Sequence, residues 1–358
     1  MFLLVYGGGL GRKAKAAVAA VGTEGEQGYV PAQDAVTPVE SFVGGNVTVK
    51  LDGAAFHLAT TTVKDDEDNN VTAYTSGQIF GCNNLNGTPK GHVLVHVKRT
   101  VAETGHESDT YHLGAVYGGG NEANYDPTDT KQSTEVVIEG CDVTRIKDVY
   151  GGGNAAAAPA TDVWILACKQ IENVFGGGNG ELGPSHAANV DGQTFVNLVG
   201  GTITNVYGGS NSNGDIRGGA NIQMPQKSAY TGTAVLNSSE TCTLRTTNIY
   251  GGGKNADMSS GTSIVLGCMP DEWIGDIYAG AQAADLTGNV NLTITSGKFG
   301  RVFGGNKDSV KLEGSITVNI EETGCKPVII GQLYGGGNLA PYTAPDDEPG
   351  PTLNVKSF

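Results

Sequence analysis

The chain has 358 residues, of which 56 are Gly and only 16% are charged, and its formal charge is −15. That field repels phosphate backbones and anionic headgroups, so nucleic acid and membrane surfaces are excluded as expected partners. Abundant Val, Ile and Thr argue against intrinsic disorder, and the lack of a strict Gly-X-Y period excludes collagen.

The chain opens on MFLLVYGGG, which lacks the basic start of a signal peptide and falls inside a repeat motif. The chain therefore reads as a fragment of a longer protein. No apolar run approaches the ~20 residues that span a bilayer, so direct membrane insertion is not expected. Residues 11–40 read as a long insertion or a degenerate coil. Within them, 13–21 (KAKAAVAAV) is the only stretch with good helix propensity.

Period-2 alternation then begins at Val47-Val49-Leu51, the mark of a strand with one buried face. The acidic loop 64–70 follows. Asp65, Asp66 and Asp68 could gather oxygen ligands for Ca²⁺, but the spaced D-x-D-x-D-G signature is missing, so a solvated loop is expected. Alternation recurs at Val93-Val95-Val97, Val136-Ile138, Val163-Ile165, Val196-Leu198, Val290-Leu292-Ile294 and Ile316-Val318-Ile320. His92, His96, His106 and His112 cluster in one coil. On a strand His92 and His96 stand about 13 Å apart, too far to share one zinc ion.

After each such strand comes an aliphatic–aromatic–glycine turn. Its aromatics are Tyr6, Phe80, Tyr117, Tyr150, Phe175, Tyr207, Tyr250, Tyr278, Phe303 and Tyr334. The shortest spacing, 25 residues between Tyr150 and Phe175, suits one turn of a β-helix. Longer spacings mean insertions at a fixed corner. The predicted fold is an all-β, single-stranded, right-handed parallel β-helix (a β-solenoid) of about ten coils, with variable loop insertions and continuous over 1–358. The glycines are expected to supply positive φ at sharp corners. Asn84, Asn121, Asn154, Asn179, Asn211 and Asn338 lie four residues after their aromatics, where stacked coils would join their amides into a ladder.

Two readings stand for the aromatics. Each neighbours a buried aliphatic, so Tyr117, Tyr150, Phe175, Tyr207 and Tyr250 could form an exposed stripe that stacks on sugar rings. Alternatively the corner bends and the rings stack in the core. Five of the six cysteines lie seven to ten residues before an aromatic and so share one corner. Cys141/Cys168 and Cys242/Cys268 could form disulfides between successive coils, but a ladder of free buried thiols is the preferred reading. Asp142, Asp148, Asp215, Asp276 and Asp285 are scattered singly. The position two before the aromatic holds Asp148 or Asp276 in some coils and Asn173, Asn205 or Asn248 in others, so it reads as structural. No catalytic constellation, resident metal or cofactor is expected.

The turns at 116–121 (VYGGGN), 149–154 (VYGGGN), 174–179 (VFGGGN) and 333–338 (LYGGGN) resemble those of adhesin-like β-helix repeat proteins of gut bacteria. The resemblance covers most of the chain. It implies a secreted or surface-displayed, non-enzymatic module that binds a glycan or a host or bacterial surface protein through one face, and further repeat-domain or end-to-end contacts. A polysaccharide lyase or glycoside hydrolase of β-helix type is the alternative, and a structural fibre module the second.

Overall fold

The computed structural model describes residues 4–27, 29–237, 239–267, 273–308, 310–323, 326–348 and 350–356. The fold is an all-β parallel β-helix, with no α-helix among the described residues. Its first sheet has ten parallel strands: Leu4–Tyr6, Gln78–Phe80, Leu113–Tyr117, Arg145–Tyr150, Gln170–Phe175, Gly201–Tyr207, Leu244–Tyr250, Trp273–Tyr278, Gly297–Phe303 and Val328–Tyr334. Each ends on the aromatic of the repeat. The second sheet also has ten: Val47–Phe56, Val93–Ala102, Thr134–Ile138, Thr161–Ile165, Thr194–Leu198, Ala220–Gln223, Thr262–Leu266, Val290–Ile294, Ile316–Glu321 and Thr352–Lys356. A narrow third face is built from short pairings such as Leu286–Thr287 with Leu312–Glu313, and single bridges linking Ala158, Val190 and Ile216.

Register follows the repeat. Val116, Val149, Val174, Val206 and Ile249 are paired in succession and fully buried. They join Val136, Val163 and Val196 of the second sheet, and Val190 and Ile216 of the third face, in one apolar core. β-Branched residues suit this setting, because their side chains pack against copies of themselves on a pleated surface.

The glycines have two separate reasons. Positive φ occurs at the turn from the second sheet to the first, as at Gly201 (φ 109°). The glycine directly after the aromatic is needed for a different reason. A Cβ on Gly151 would lie 2.4 Å from the Gly176 carbonyl oxygen of the next coil. The expectation that the YGGGN glycines supply positive φ is thus corrected: the first of them is required by backbone contact between coils. The same corner is latched by hydroxyls of the second sheet. Thr134, Thr161, Thr194 and Thr262 Oγ1 donate to the carbonyls of Gly151, Gly176, Gly208 and Ala279 at 2.6–2.7 Å.

The 73 residues between Tyr6 and Phe80 occupy one coil, since Leu4–Tyr6 pairs directly with Gln78–Phe80. Two excursions fill the gap. Residues 12–39 form an extended two-legged arm with antiparallel bridges at Arg12↔Val39, Lys15↔Val36, Val18↔Gln33 and Val21↔Val30, so 13–21 is extended despite its helix propensity. Ala59–Lys64 and Asn70–Ser76 form an antiparallel hairpin.

Candidate functional site

The aromatics do point outward, opposite to the aliphatics before them, yet they are not exposed. Tyr117, Tyr150, Phe175, Tyr207 and Tyr250 lie in a buried column of their own, separate from the aliphatic core. Successive ring centroids from Tyr6 to Tyr334 are 4.7–5.2 Å apart, with planes within 8°. The exposed stripe is therefore corrected. The coil rise of about 4.8 Å lies within the centroid spacing of offset-stacked rings, so both faces of these five rings are covered by their neighbours, and a sugar has no face of theirs to stack on. Among the described residues, the Phe, Tyr or Trp exposed over more than half of its surface is Phe42, at 56%. It lines a cavity of about 750 Å³ at the base of the arm, with Lys13, Glu40, Lys90, Glu122 and Asp126.

Beside the rings runs the amide ladder. Asn121, Asn154, Asn179 and Asn211 each donate Nδ2 to the Oδ1 of the preceding Asn, at 2.8–2.9 Å, starting from Asn84. Asn338 is a correction to this series. The intervening coils place Lys254, Gln282 and Lys307 in the slot, so no neighbouring Asn side chain is there to pair with it. A second ladder occupies the position two before the aromatic. Asn248 donates to Asn205, Asn205 to Asn173, and Asn173 to Asp148, at 2.8–3.0 Å. Asp148 ends it and also accepts a short hydrogen bond from Tyr74. Burial pushes the Asp148 carboxyl above the ordinary range, against the opposing pull of Tyr74, Asn173 and Lys147.

Tyr74 comes from the hairpin, which lies across this outer face. Two cavities flank it. One of about 180 Å³ is bordered by Tyr6, Tyr74, Gln78, Asn121, Asn154 and Glu181. The other, of about 230 Å³, is bordered by Tyr74, Lys147, Asp148, Tyr150, Glu172, Phe175, Glu181, Asn211 and Lys254. Glu181 is raised by burial, relieved in part by its hydrogen bond with Asn179. Tyr111, at the rim, is pushed up to about 12 by burial and by Glu172.

The acidic loop is the hairpin's tip and is largely solvated, as expected, with Asp66 in addition docked on Ser185 and His186. Asp66 accepts from Ser185 N at 2.9 Å and from Ser185 Oγ at 2.5 Å, and lies 3.0 Å from His186 Nδ1. Asp65 closes an Asx turn by accepting from the backbone of Glu67 and Asn69, while Asp68 faces Lys64 at 3.6 Å. Among the described residues no three or more His, Cys, Asp or Glu converge as a metal site.

The second sheet's outer face is covered too. Residues 224–243 leave the helix after Ala220–Gln223 and run back over earlier coils. Tyr230 meets Trp164 edge-on at 5.2 Å, and packs with Leu94, Val137 and Leu166. Glu139, buried beneath, accepts from Asn237 N at 2.8 Å and lies 2.9 Å from His96 Nε2 and 3.7 Å from Lys227 Nζ. Burial raises its carboxyl, but these partners outweigh that and hold it below its ordinary value. His92 faces Glu135 at 3.1 Å, His57 stacks on His106 at 4.5 Å, and His112 meets Thr100 at 2.9 Å.

This strap corrects the cysteine reading. Cys141 is bonded to Cys242, 101 residues away, with Cα atoms 5.8 Å apart. Neither proposed adjacent-coil pair forms. Cys168 is free, buried and pushed up to about 12 by burial, and Cys268 lies outside the described residues. The strap's return leg passes over the Cys141 corner, and this contact between distant coils cannot be deduced from repeat phase. Asp215 and Asp285 cap corner backbones at Ser259 and Lys311, Asp276 pairs with Arg301, and Asp142 is exposed. Only Asp148 of these five borders the groove beside the hairpin.

Among the described residues no helix is long and apolar enough to cross a membrane. Compared with protein-family models, curated proteins and solved structures, the chain finds no match.

Proposed function

We propose that the protein is a non-enzymatic, adhesin-like repeat module, secreted or displayed at a cell surface, that binds a glycan in the grooves beside the 59–76 hairpin. The observation that carries this reading is the hairpin itself. It lies on a flat ladder face and turns it into two cavities lined by amides, carboxylates, lysines and tyrosines. Such mixed donors and acceptors suit a hydroxyl-rich ligand, and loops held on a rigid frame are where recognition resides. The Cys141–Cys242 bond supports an oxidising, extracellular compartment. A glycan array probed with the wild-type protein and with Lys147→Ala/Glu181→Ala tests the reading. Saturable wild-type binding that the double variant loses is expected; no carbohydrate binding by the wild type would overturn it.

A second reading, a glycoside hydrolase or lyase, is favoured by one observation: Glu172 and Glu181 border the same groove as Lys147 and Lys254. Asp148 does not help it, because Tyr74 and Asn173 already occupy its two oxygens. Release of reducing ends or unsaturated products from a bound polysaccharide would favour this second reading over the first.

A further inference from the structure

Phe42 stands apart from the stacked aromatic column. It is the middle residue of the short strand Ser41–Val43, which pairs in parallel with Gly87–Pro89. Strand alternation leaves its two neighbours partly buried and turns the ring outward. The paired position in the next coil is Thr88, which is buried and accepts from Asp126 N at 2.8 Å. Lys90 Nζ lies over the Phe42 ring, 5.4 Å from its centroid. At 56% exposure the ring still keeps a face open to water. Covering that apolar face is favourable, and its π electrons attract C–H groups made partly positive by neighbouring oxygens.

The ring opens into the cavity of about 750 Å³ at the base of the arm, a size within the ~300–1,000 Å³ of small-ligand sites. This cavity shares no lining residue with the two hairpin grooves. Its charged lining is Lys13, Lys90, Glu40, Glu122 and Asp126. Lys13 Nζ lies 2.7 Å from Glu122, and Lys90 Nζ 3.5 Å from Asp126. Glu40 is exposed, and its carboxylate makes no ion pair or hydrogen bond with the described residues. Two lysines against three carboxylates leave one excess negative charge, in a chain whose net charge is −15. Anions are repelled from such a site, and a cationic ligand has a rival in the Lys90 ammonium already over the ring. An uncharged molecule with one apolar face and several hydroxyls fits both the ring and the donors and acceptors around it.

We propose that this cavity binds an uncharged pyranose of a glycan. The C–H face of the sugar stacks on Phe42. Its hydroxyls donate to the carboxylates of Glu40, Glu122 and Asp126 and accept from the ammonium groups of Lys13 and Lys90. The site is additional to the hairpin grooves and does not rest on them.

Titration calorimetry with cellotetraose, mannotetraose and galactotetraose, each against its C6-oxidised uronic form, tests the site. The wild type should bind at least one neutral tetraose saturably, and its uronic form about threefold more weakly, the scale of a surface charge contact. Phe42→Ala should weaken the neutral tetraose about tenfold, the worth of one stacked ring, while Phe42→Trp keeps the binding. Glu40→Gln should narrow the gap between the neutral and uronic forms. Lys147→Ala/Glu181→Ala should leave the Phe42-dependent binding intact. The site is overturned if no neutral tetraose binds, if binding survives Phe42→Ala unchanged, or if the uronic form binds as tightly as the neutral one. Binding lost in the Lys147/Glu181 double variant but kept in Phe42→Ala would remove this site and leave the hairpin grooves standing; the reverse would remove the grooves and leave this site.

Discussion

The outer face of the first sheet changes character halfway along the rod. From Phe80 to Tyr207 the slot four residues after the aromatic holds Asn throughout, and from Phe175 to Tyr250 so does the slot two before it; these amides bond one another, and the hairpin reaches the face at Tyr74. At Tyr278 and Phe303 the same slots hold Asp276 and Arg301, which pair with each other, and Gln282 and Lys307; the last coil, at Tyr334, returns to the amides Gln332 and Asn338. Parallel pairing between coils continues through both halves, so the backbone does not require Asn. Amides are retained where the face is covered, because a buried polar group must be paired and identical amides pair at the coil spacing. Charged residues suffice where water reaches them.

The sharpest way to break this contrast is to remove one ring from each half. Tyr150, stacked on both faces, should cost about 3–5 kcal/mol as Tyr150→Ala, as for a fully buried aromatic. Tyr334, 43% exposed and stacked on one face, should cost well under half of that. Equal losses in denaturant titrations would mean that the halves are energetically alike. Next comes the strap over the second sheet. Cys141→Ser should cost about 2–4 kcal/mol. Hydrogen exchange should then show residues 224–243 opening before the coils do; uniform loosening of the rod would contradict a strap held by its clasp. A smaller effect separates the ladders. Asn179→Ala leaves Asn154 Oδ1 and Asn211 Nδ2 without their partner and should cost about 1–3 kcal/mol. Asp276→Asn on the open half should stay within about 0.5 kcal/mol.

The smallest effect is a dependence on pH. Burial raises the Asp148 carboxyl above its ordinary 3.8, so the folded chain holds that proton more tightly than the unfolded chain does. Its contribution to stability is complete below pH 3.8 and is lost as pH rises through the raised value. Asp148→Asn, which restores the rung found in neighbouring coils, should match the wild type at pH 3 and exceed it at pH 7. A variant that is less stable at pH 7 would show that the Tyr74 contact needs the charge.

Much of the core was legible because a repeat exposes its own register. Val149, Val174 and Val206 share a column in the sequence pattern and share it in space. The strands Ala220–Gln223 and Thr262–Leu266 escaped notice because the first is only four residues long and the second carries an outward, exposed Val265 between Ile264 and Leu266, which breaks the apolar–polar alternation. The rings were harder to place. Alternation correctly sets Tyr150 opposite Val149, but whether an outward ring is bare or covered depends on its neighbours and on what lies above it. Nothing in the local pattern says that residues 59–76 fold over that face.

Sequence alone therefore determined the coil, its two long sheets and four rungs of the amide ladder, since these arise from contacts between equivalent positions one coil apart. Only the tertiary structure decided which excursion covers which face, that Cys141 meets Cys242, and that Asn211 Oδ1 is buried with no donor among the described residues. Those contacts join positions that the repeat does not relate. Their partners are chosen by where an inserted chain comes to rest on a rod, and no periodicity encodes that.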